Sequence, residues 1–498
     1  MVTPKASLFD RAMQASFWSM ALRGTTRSIG FVRNVVLARI LAPEDFGLFG
    51  IALLVLSIIE RFSESGLKSA LVQKKDDIAE YLDTVWTVLA ARGVALALAL
   101  YFSAPYVSRF FEEPAATLLI QALGLTIFLR GIRSTGILYF SRDLEFHRSF
   151  VLRSVETVVE LIVSVVAAVI LKSAWALLLG LVASNLTMAI LSFMLHPYRP
   201  RIRLDWSQLR ELHTYGRWIY LNQMLNFLTL KGDKLIIGKL LGAPMLGAYM
   251  LAVSISEVLT LEVARITNDV GFPAYSRMQD QHARLRKWFT TATTLVFSVT
   301  FPMAVALALL AVPLTLLVLG TKWTDVATVL PPLAFAGVVR AVGGNAGAIL
   351  KGIGRPNISF HAGLVSVAVM YASIFPLVQA YGLPGVGFAV LLGPLVSVPI
   401  ALYRICRLIN ISFSDVVGVF LPGMVLGVAT AMPIFVVMPA SGPVPLLQLI
   451  LIGLLAAAAY LAVAALLWKA GRTGPFSLVS LLRARRERSR RTLSTATR

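Results

Sequence analysis

Charge and sulfur are what this chain has little of. Asp, Glu, Lys and Arg make up only 14% of its 498 residues while 57% are hydrophobic, whereas soluble domains carry about a quarter charged residues. A soluble globular protein is excluded, and an integral membrane protein remains. The single cysteine, Cys406, excludes an intrachain disulfide, and the five histidines are scattered without Cys/His or His-x-x-x-His spacing. Neither a metal nor a redox cofactor is expected. Acidic residues are also scarce, with 25 Asp and Glu against 46 Lys and Arg and a net charge of +21. In a chain this apolar the excess has a simpler cause than nucleic acid, which is membrane orientation. The start, "MVTPKASLFDRAMQASFW", lacks the charged opening, short apolar run and small-residue cleavage site of a secretory signal. The first apolar segment is therefore expected to be retained.

Long apolar runs are what the chain has in abundance. About fourteen segments of roughly 20 residues are long enough to span a bilayer as helices. They run from about residue 16 to about residue 468. Barrel strands would be about half as long and would alternate in polarity. Between the segments, basic residues fall on alternate sides: Lys68, Lys74 and Lys75; Arg133, Arg142 and Arg148; Arg199, Arg201, Arg203 and Arg210; Arg284, Arg286 and Lys287; Lys351 and Arg355; Arg404 and Arg407. These loops belong in the cytoplasm. The intervening loops, "APED", "SRFFEEPA", "KSA", "GAPM", "AYGLPG" and "PASGPVP", are poor in positive charge and face outward. Both termini are then cytoplasmic, and the tail "RARRERSRR" joins the positive side, where a retention charge with no ligand is the favoured reading and contact with anionic lipid the other.

The chain says one thing twice. "LARILAPEDFGLF", starting at Leu37, matches "IGKLLGAPMLGAY", starting at Ile237, without a gap: Arg39 over Lys239, Leu41 over Leu241, Gly47 over Gly247 and Phe49 over Tyr249. "AWALLLGLVAS" from Ala174 matches "GFAVLLGPLVS" from Gly387, with Gly180 over Gly393 and Ser184 over Ser397. These pairs indicate two parallel repeats of six helices each, followed by an added helix pair. The connection "HPYRPRIRLDWSQLRELHTYG" reads as a linker and then an interfacial helix, with Asp205 and Gln208 at capping-box spacing. The expected organisation is a six-helix lobe over 1–202, an interfacial helix and second six-helix lobe over 203–411, an extra pair over 412–470, and a basic tail over 471–498.

"LARILAPEDFGLFGIALLVLSIIERFSESGLKSALVQKKD" resembles the signature of bacterial polysaccharide flippases, which move lipid-linked oligosaccharide repeat units for exopolysaccharide and O-antigen. "KGDKLIIGKLLGAPMLGAYMLA" and "ILKGIGRPN" resemble later motifs of the same family. The resemblance covers the whole chain except the basic tail. It implies an all-α fold of the multidrug/oligosaccharidyl-lipid/polysaccharide superfamily: two six-helix lobes forming a V, a central cavity and alternating access across the bacterial inner membrane. It also implies a lipid-linked oligosaccharide as substrate, with membrane lipids and the polysaccharide polymerase or export machinery as partners.

The first helix carries charges where lipid would penalise them. With Arg23 at zero, Arg27 lies at about +40°, Gly30 at about −20° and Asn34 at about +20°, forming one stripe. Arg27 falls roughly 16 Å into the helix at 1.5 Å per residue. An arginine at that depth costs about 2.5 to 3.5 kcal/mol unless it faces protein or water. The seventh helix carries Asn222, Asn226, Thr229 and Asp233 at the same spacing. Two such stripes suit the walls of a wet cavity. Guanidinium forks suit a pyrophosphate, so Arg23 and Arg27 are candidates for the pyrophosphate of an undecaprenyl-type carrier. Arg61 and Arg265 are secondary cations, while Asn34, Asn222 and Asn226 are candidates for sugar hydroxyls. Internal pairing is the competing reading, because Glu156 and Glu160, and Glu60 and Glu64, each sit one turn apart and can neutralise an arginine. For ion coupling Asp233 is the first candidate, unless Lys231 or Lys234 pairs with it, and Glu257 is a weaker one. Pro244, Pro313, Pro376, Pro394 and Pro399 are candidate kinks.

A membrane-embedded polysaccharide polymerase would need catalytic residues on a sizeable outer loop, and no nucleophile-base constellation is present. No enzymatic activity is expected. A cation-coupled multidrug exporter and a lipid II flippase of the same superfamily are the nearer alternatives.

Overall fold

A computed structural model describes residues 8–63, 67, 71, 78–143, 145–207, 231–438 and 444–469. All regular structure among these residues is helical. Nine of the described helices are long and apolar enough to cross a membrane, and the chain is an all-α, multi-pass membrane protein. The helices are α1 (Leu8–Ile40), α2 (Pro43–Phe62), α3 (Ala79–Phe111), α4 (Ala116–Gly131), the short α5 (Leu138–Arg142), α6 (Phe146–Leu171), α7 (Trp175–Met194) and α8 (Gly242–Arg277). They continue with α9 (His282–Leu309), α10 (Ala311–Val318), α11 (Thr324–Gly352), α12 (Pro356–Tyr381), α13 (Leu383–Ile409), the short α14 (Phe413–Gly418), α15 (Leu421–Val437) and α16 (Leu446–Lys469). Residues 231–240 are also helical.

The chain divides into two compact units, Met1–Leu251 and Ala252–Arg498. The division falls within α8, so the first unit includes the segment 203–251 that the repeat assigns to the second lobe. In the first unit α3 packs on α4, α6 on α7 and α1 on α6. In the second, α13 packs on α11 and α12, and α9 packs on α11 and α15. The extra pair closes on α9 and α10: Ile434, Leu449, Ile452 and Ala456 form a buried cluster with Leu310.

The repeated motif has a structural counterpart. Leu41 and Leu241 each donate a backbone hydrogen bond of 2.8 Å, to the carbonyls of Leu37 and Ile237, which closes the last turn before each break. The following helices, α2 and α8, cross at their first turns. A side chain at Gly47 would overlap the Ala243 carbonyl, and one at Gly247 would overlap the Pro43 carbonyl. The contact is therefore reciprocal: position 43 meets 247, and 47 meets 243. Glycine is needed on both sides because the backbones themselves touch. The second matched pair behaves alike within each unit. A Cβ at Gly180 on α7 would lie 2.6 Å from Ser164 Cβ on α6, and one at Gly393 on α13 would lie 2.6 Å from the Ser366 carbonyl on α12.

Loops expected to face outward gather at one end of the first unit. Asp45 accepts hydrogen bonds from the Ala42 and Ala174 amides, at 3.0 and 2.9 Å, so one carboxylate caps the starts of α2 and α7. Glu112 pairs with Lys239 at 2.7 Å. Glu113 accepts from the Ala243 amide at 3.3 Å. At the opposite end, the connection after α7 runs extended along α3. The Arg201 amide donates to Asp83 at 3.0 Å and the Arg203 amide to Thr87 at 3.0 Å, and the Tyr198 hydroxyl also reaches Asp83. The start of the expected interfacial helix is visible: Asp205 accepts from the Ser207 amide at 2.9 Å as the chain turns helical at Trp206. Gln208 and the rest of that helix lie outside the described residues. Of the candidate kinks, Pro376, Pro394 and Pro399 sit inside helices. Pro244 and Pro313 instead occupy the first turns of α8 and α10, where proline removes no helical hydrogen bond and no kink is required.

Candidate functional site

α1 carries Arg23, Arg27, Arg33 and Arg39 along a single helix. Arg23 is exposed, Arg27 and Asn34 are half-buried, and Arg61 is exposed at the last turn of α2. Asn222 and Asn226 lie outside the described residues. Arg265 falls on α8, in the second unit, at a position whose side chain is likewise outside them. Glu257 is half-buried on the same helix.

Of the carboxylates read as alternative partners for Arg23 and Arg27, Glu64 lies outside the described residues, and Glu60, Glu156 and Glu160 are engaged by other arginines. Glu160 on α6 pairs with Arg33 of α1, whose side chain is 22% exposed against 21% for the glutamate. Arg33 also donates to Asn34 Oδ1 at 3.3 Å. Glu60 on α2 receives Arg130 of α4 through Nη1 at 2.8 and 3.0 Å. Glu156 lies 3.5 Å from both Arg133 and Arg153. Asn185, 1% exposed on α7, ties this cluster together. Its Oδ1 accepts from Arg130 Nε at 2.9 Å and Arg133 Nη2 at 2.7 Å, while its amide donates to the Leu181 carbonyl at 2.6 Å. Arg92 completes the set from α3, donating to the Glu60 carbonyl at 2.9 Å and to Ser63 at 2.8 and 3.1 Å. The result is a polar seam through six helices of the first unit. Its glutamates were signalled by their one-turn spacing. Arg33, Arg130 and Asn185 were not, because no periodic polar stripe marks them.

Asp233 is 4% exposed. It accepts from the hydroxyl of fully buried Tyr249 and from the Lys234 amide at 2.8 Å. The offset of 200 set by the reciprocal crossing aligns Asp233 with Arg33 rather than with Asn34, so the two polar stripes are out of step by one residue. Tyr249 aligns with Phe49, and its hydroxyl is the group that makes burial of the Asp233 carboxylate tolerable.

Comparison with known proteins places these features in context. Residues 36–328 match the family described as polysaccharide biosynthesis protein, a stretch that includes both copies of the repeated motif. Lipopolysaccharide biosynthesis protein WzxC of Escherichia coli K12 is 24% identical over 393 residues, covering 78% of this chain and 80% of the relative. Succinoglycan biosynthesis transport protein ExoT of Rhizobium meliloti is 25% identical over 362 residues, covering 72% and 73%. Among solved structures, lipid II flippase MurJ in an inward closed conformation superposes with a TM-score of 0.72 at 14% identity, covering 91% of this chain and 99% of that one. An inward-facing multidrug resistance MATE family transporter of the MOP superfamily gives 0.56 at 18% identity, covering 78% and 96%. These two likenesses establish the fold alone. With the match taking in both copies of that motif and more than half of its length, the chain belongs to the polysaccharide biosynthesis protein family.

Proposed function

We propose that this protein is a flippase that carries undecaprenyl-pyrophosphate-linked oligosaccharide repeat units across the bacterial cytoplasmic membrane, for exopolysaccharide or lipopolysaccharide assembly. The observation that carries the reading is the family match over 36–328. The succinoglycan relative is by name a transport protein, and the fold shared with a lipid II flippase is compatible with such a role. The chain works without enzymatic chemistry, alternating access between two six-helix lobes, with both termini cytoplasmic.

In this reading Arg23 and Arg27 engage the pyrophosphate. Asn34, Asn222 and Asn226 meet sugar hydroxyls, and Arg61 and Arg265 attract the anionic head as it enters. Asp233 or Glu257 couples transport to an ion. Deleting the gene is expected to abolish one surface polysaccharide and to accumulate its lipid-linked unit in the inner leaflet. Arg23→Ala and Arg27→Ala should each fail to restore the polymer at unchanged membrane abundance, and normal export by both would reject the site. Unchanged polysaccharide with drug hypersensitivity would instead favour the multidrug exporter.

A further inference from the structure

The polar seam of the first unit borders a cavity that the translocation reading does not use. It has a volume of about 200 Å³ and lies beneath Arg133, between α3, α5, α6 and α7. Arg133, Ser134, Thr135, Ser149 and Arg153 supply its polar lining. Leu89, Phe140, Leu152 and Met188 supply the apolar remainder.

Three features make this cavity more than a packing gap. Its charge is unbalanced: Arg130, Arg133 and Arg153 cluster around Glu60 and Glu156, and Glu156 is shared between two guanidiniums at 3.5 Å each. Charge-assisted hydrogen bonds normally close to about 2.7 to 2.9 Å, so neither arginine is saturated by that glutamate. The Arg133 side chain is only 13% exposed, yet its Nε is buried with no hydrogen-bond partner. A buried guanidinium donor left unmade is costly, and an acceptor entering the cavity would relieve it. Finally, hydroxyls and cations share the lining with leucine, phenylalanine and methionine, which suits a ligand that is anionic at one end and apolar next to it.

The geometry points to a second binding site, for a phosphoryl group, with Arg133 and Arg153 as its cationic ligands and Ser149 as its hydroxyl donor. Arginine matches the oxygens of a phosphate through two parallel N–H donors. The cavity is lined in part by the connection after α4 that carries Arg133, one of the basic loops, where a phosphate-headed lipid of the adjoining leaflet could reach it, as could the free ion. The site stands independently of the Arg23 and Arg27 assignment, because binding here is measured without transport.

The test uses the full-length purified chain in detergent, with native mass spectrometry and thermal unfolding as readouts. Three probes are compared: dioleoyl phosphatidic acid, dioleoyl phosphatidylcholine and inorganic phosphate. Wild type should bind phosphatidic acid at least tenfold more tightly than phosphatidylcholine, the scale expected for one charge-assisted contact. Arg153→Gln, at a side chain already 55% exposed, should fold normally and lose most of that preference. Ser149→Phe should fill the cavity and lose it while leaving all the charges in place. Arg133→Gln should lose it most completely. Phosphate alone, stabilising wild type as well as phosphatidic acid does and failing with Arg133→Gln, would support the site and assign the free ion as its ligand. Inert phosphate with intact lipid preference would assign the lipid headgroup. Equal binding of the two lipids by wild type, or an unaltered preference in both Arg153→Gln and Ser149→Phe, would overturn the proposal.

Discussion

Arg33 and Asp233 hold equivalent places in the two copies of the repeat, the first half-buried and the second buried, each with a partner of different chemistry. Arg33 meets a full charge on Glu160, whereas Asp233 meets the neutral hydroxyl of Tyr249. Removing one member of a buried ion pair strands the other, at about 3 to 5 kcal/mol when burial is complete. With a fifth of each side chain still exposed, Glu160→Gln should cost about 1 to 3 kcal/mol. The swap Arg33→Glu with Glu160→Arg should recover part of it. Melting curves of the purified protein decide the matter, and a double variant no more stable than the worse single would deny the pair any coupling. Tyr249→Phe removes one hydrogen bond from a carboxylate that is almost fully enclosed, and should cost about 1 to 3 kcal/mol. If Asp233 also couples transport to an ion, Asp233→Asn should fold and still fail in transport.

At the scale of elements, the crossing of α2 and α8 is the most constrained contact in the first unit. Gly47→Val and Gly247→Val should each sharply reduce folded protein, because the obstructing atoms are backbone carbonyls that cannot swing aside. Gly24→Ala is the matched control, since nothing lies within 4 Å of the added methyl. It should be neutral, or stabilising by up to about 1 kcal/mol through helix propensity. The extended connection after α7 offers a different probe. His196 stacks on Tyr139 at 5.3 Å, and burial together with nearby Arg148 lowers its pKa. A depressed histidine pKa favours the neutral ring in the folded state, so its contribution is fully present above the unfolded value of about 6.5 and is lost as pH falls through the folded value. Hydrogen exchange at the Arg201 amide should therefore quicken on acidification, and His196→Phe should flatten that step. Helices and their order were readable in advance because apolar runs and basic loops follow from bilayer thickness and insertion, which act locally. The glycine matches were readable as well. The polar seam was not, because Asn185 or Arg130 becomes meaningful only when another helix supplies its partner. The one-residue mismatch of the stripes was also readable, since Arg39 over Lys239 already sets an offset of 200 that puts Asp233 over Arg33.

At the scale of the whole molecule, orientation is the property that charge alone decides. Positive loops resist translocation, and the alternation of basic and neutral connections in the sequence predicts that one end of every span shares the cytoplasm with the termini. The structure already gathers Asp45, Ala174, Glu113 and Ala243, all from or beside neutral loops, at one end of the first unit. The single cysteine makes the inference directly measurable. Cys406 is buried, and replacing it with serine leaves a cysteine-free background. In that background Tyr381→Cys, at an exposed site in a neutral loop, should react with a membrane-impermeant maleimide in spheroplasts of intact inner membrane. Arg355→Cys, exposed in a basic loop, should react only after lysis. Labelling in the opposite order would invert the topology and place the basic end of the first unit, with its cavity and its Arg133, on the outer side. Labelling of both sites before lysis, with the membrane shown to be sealed, would mean that loop charge does not orient this chain.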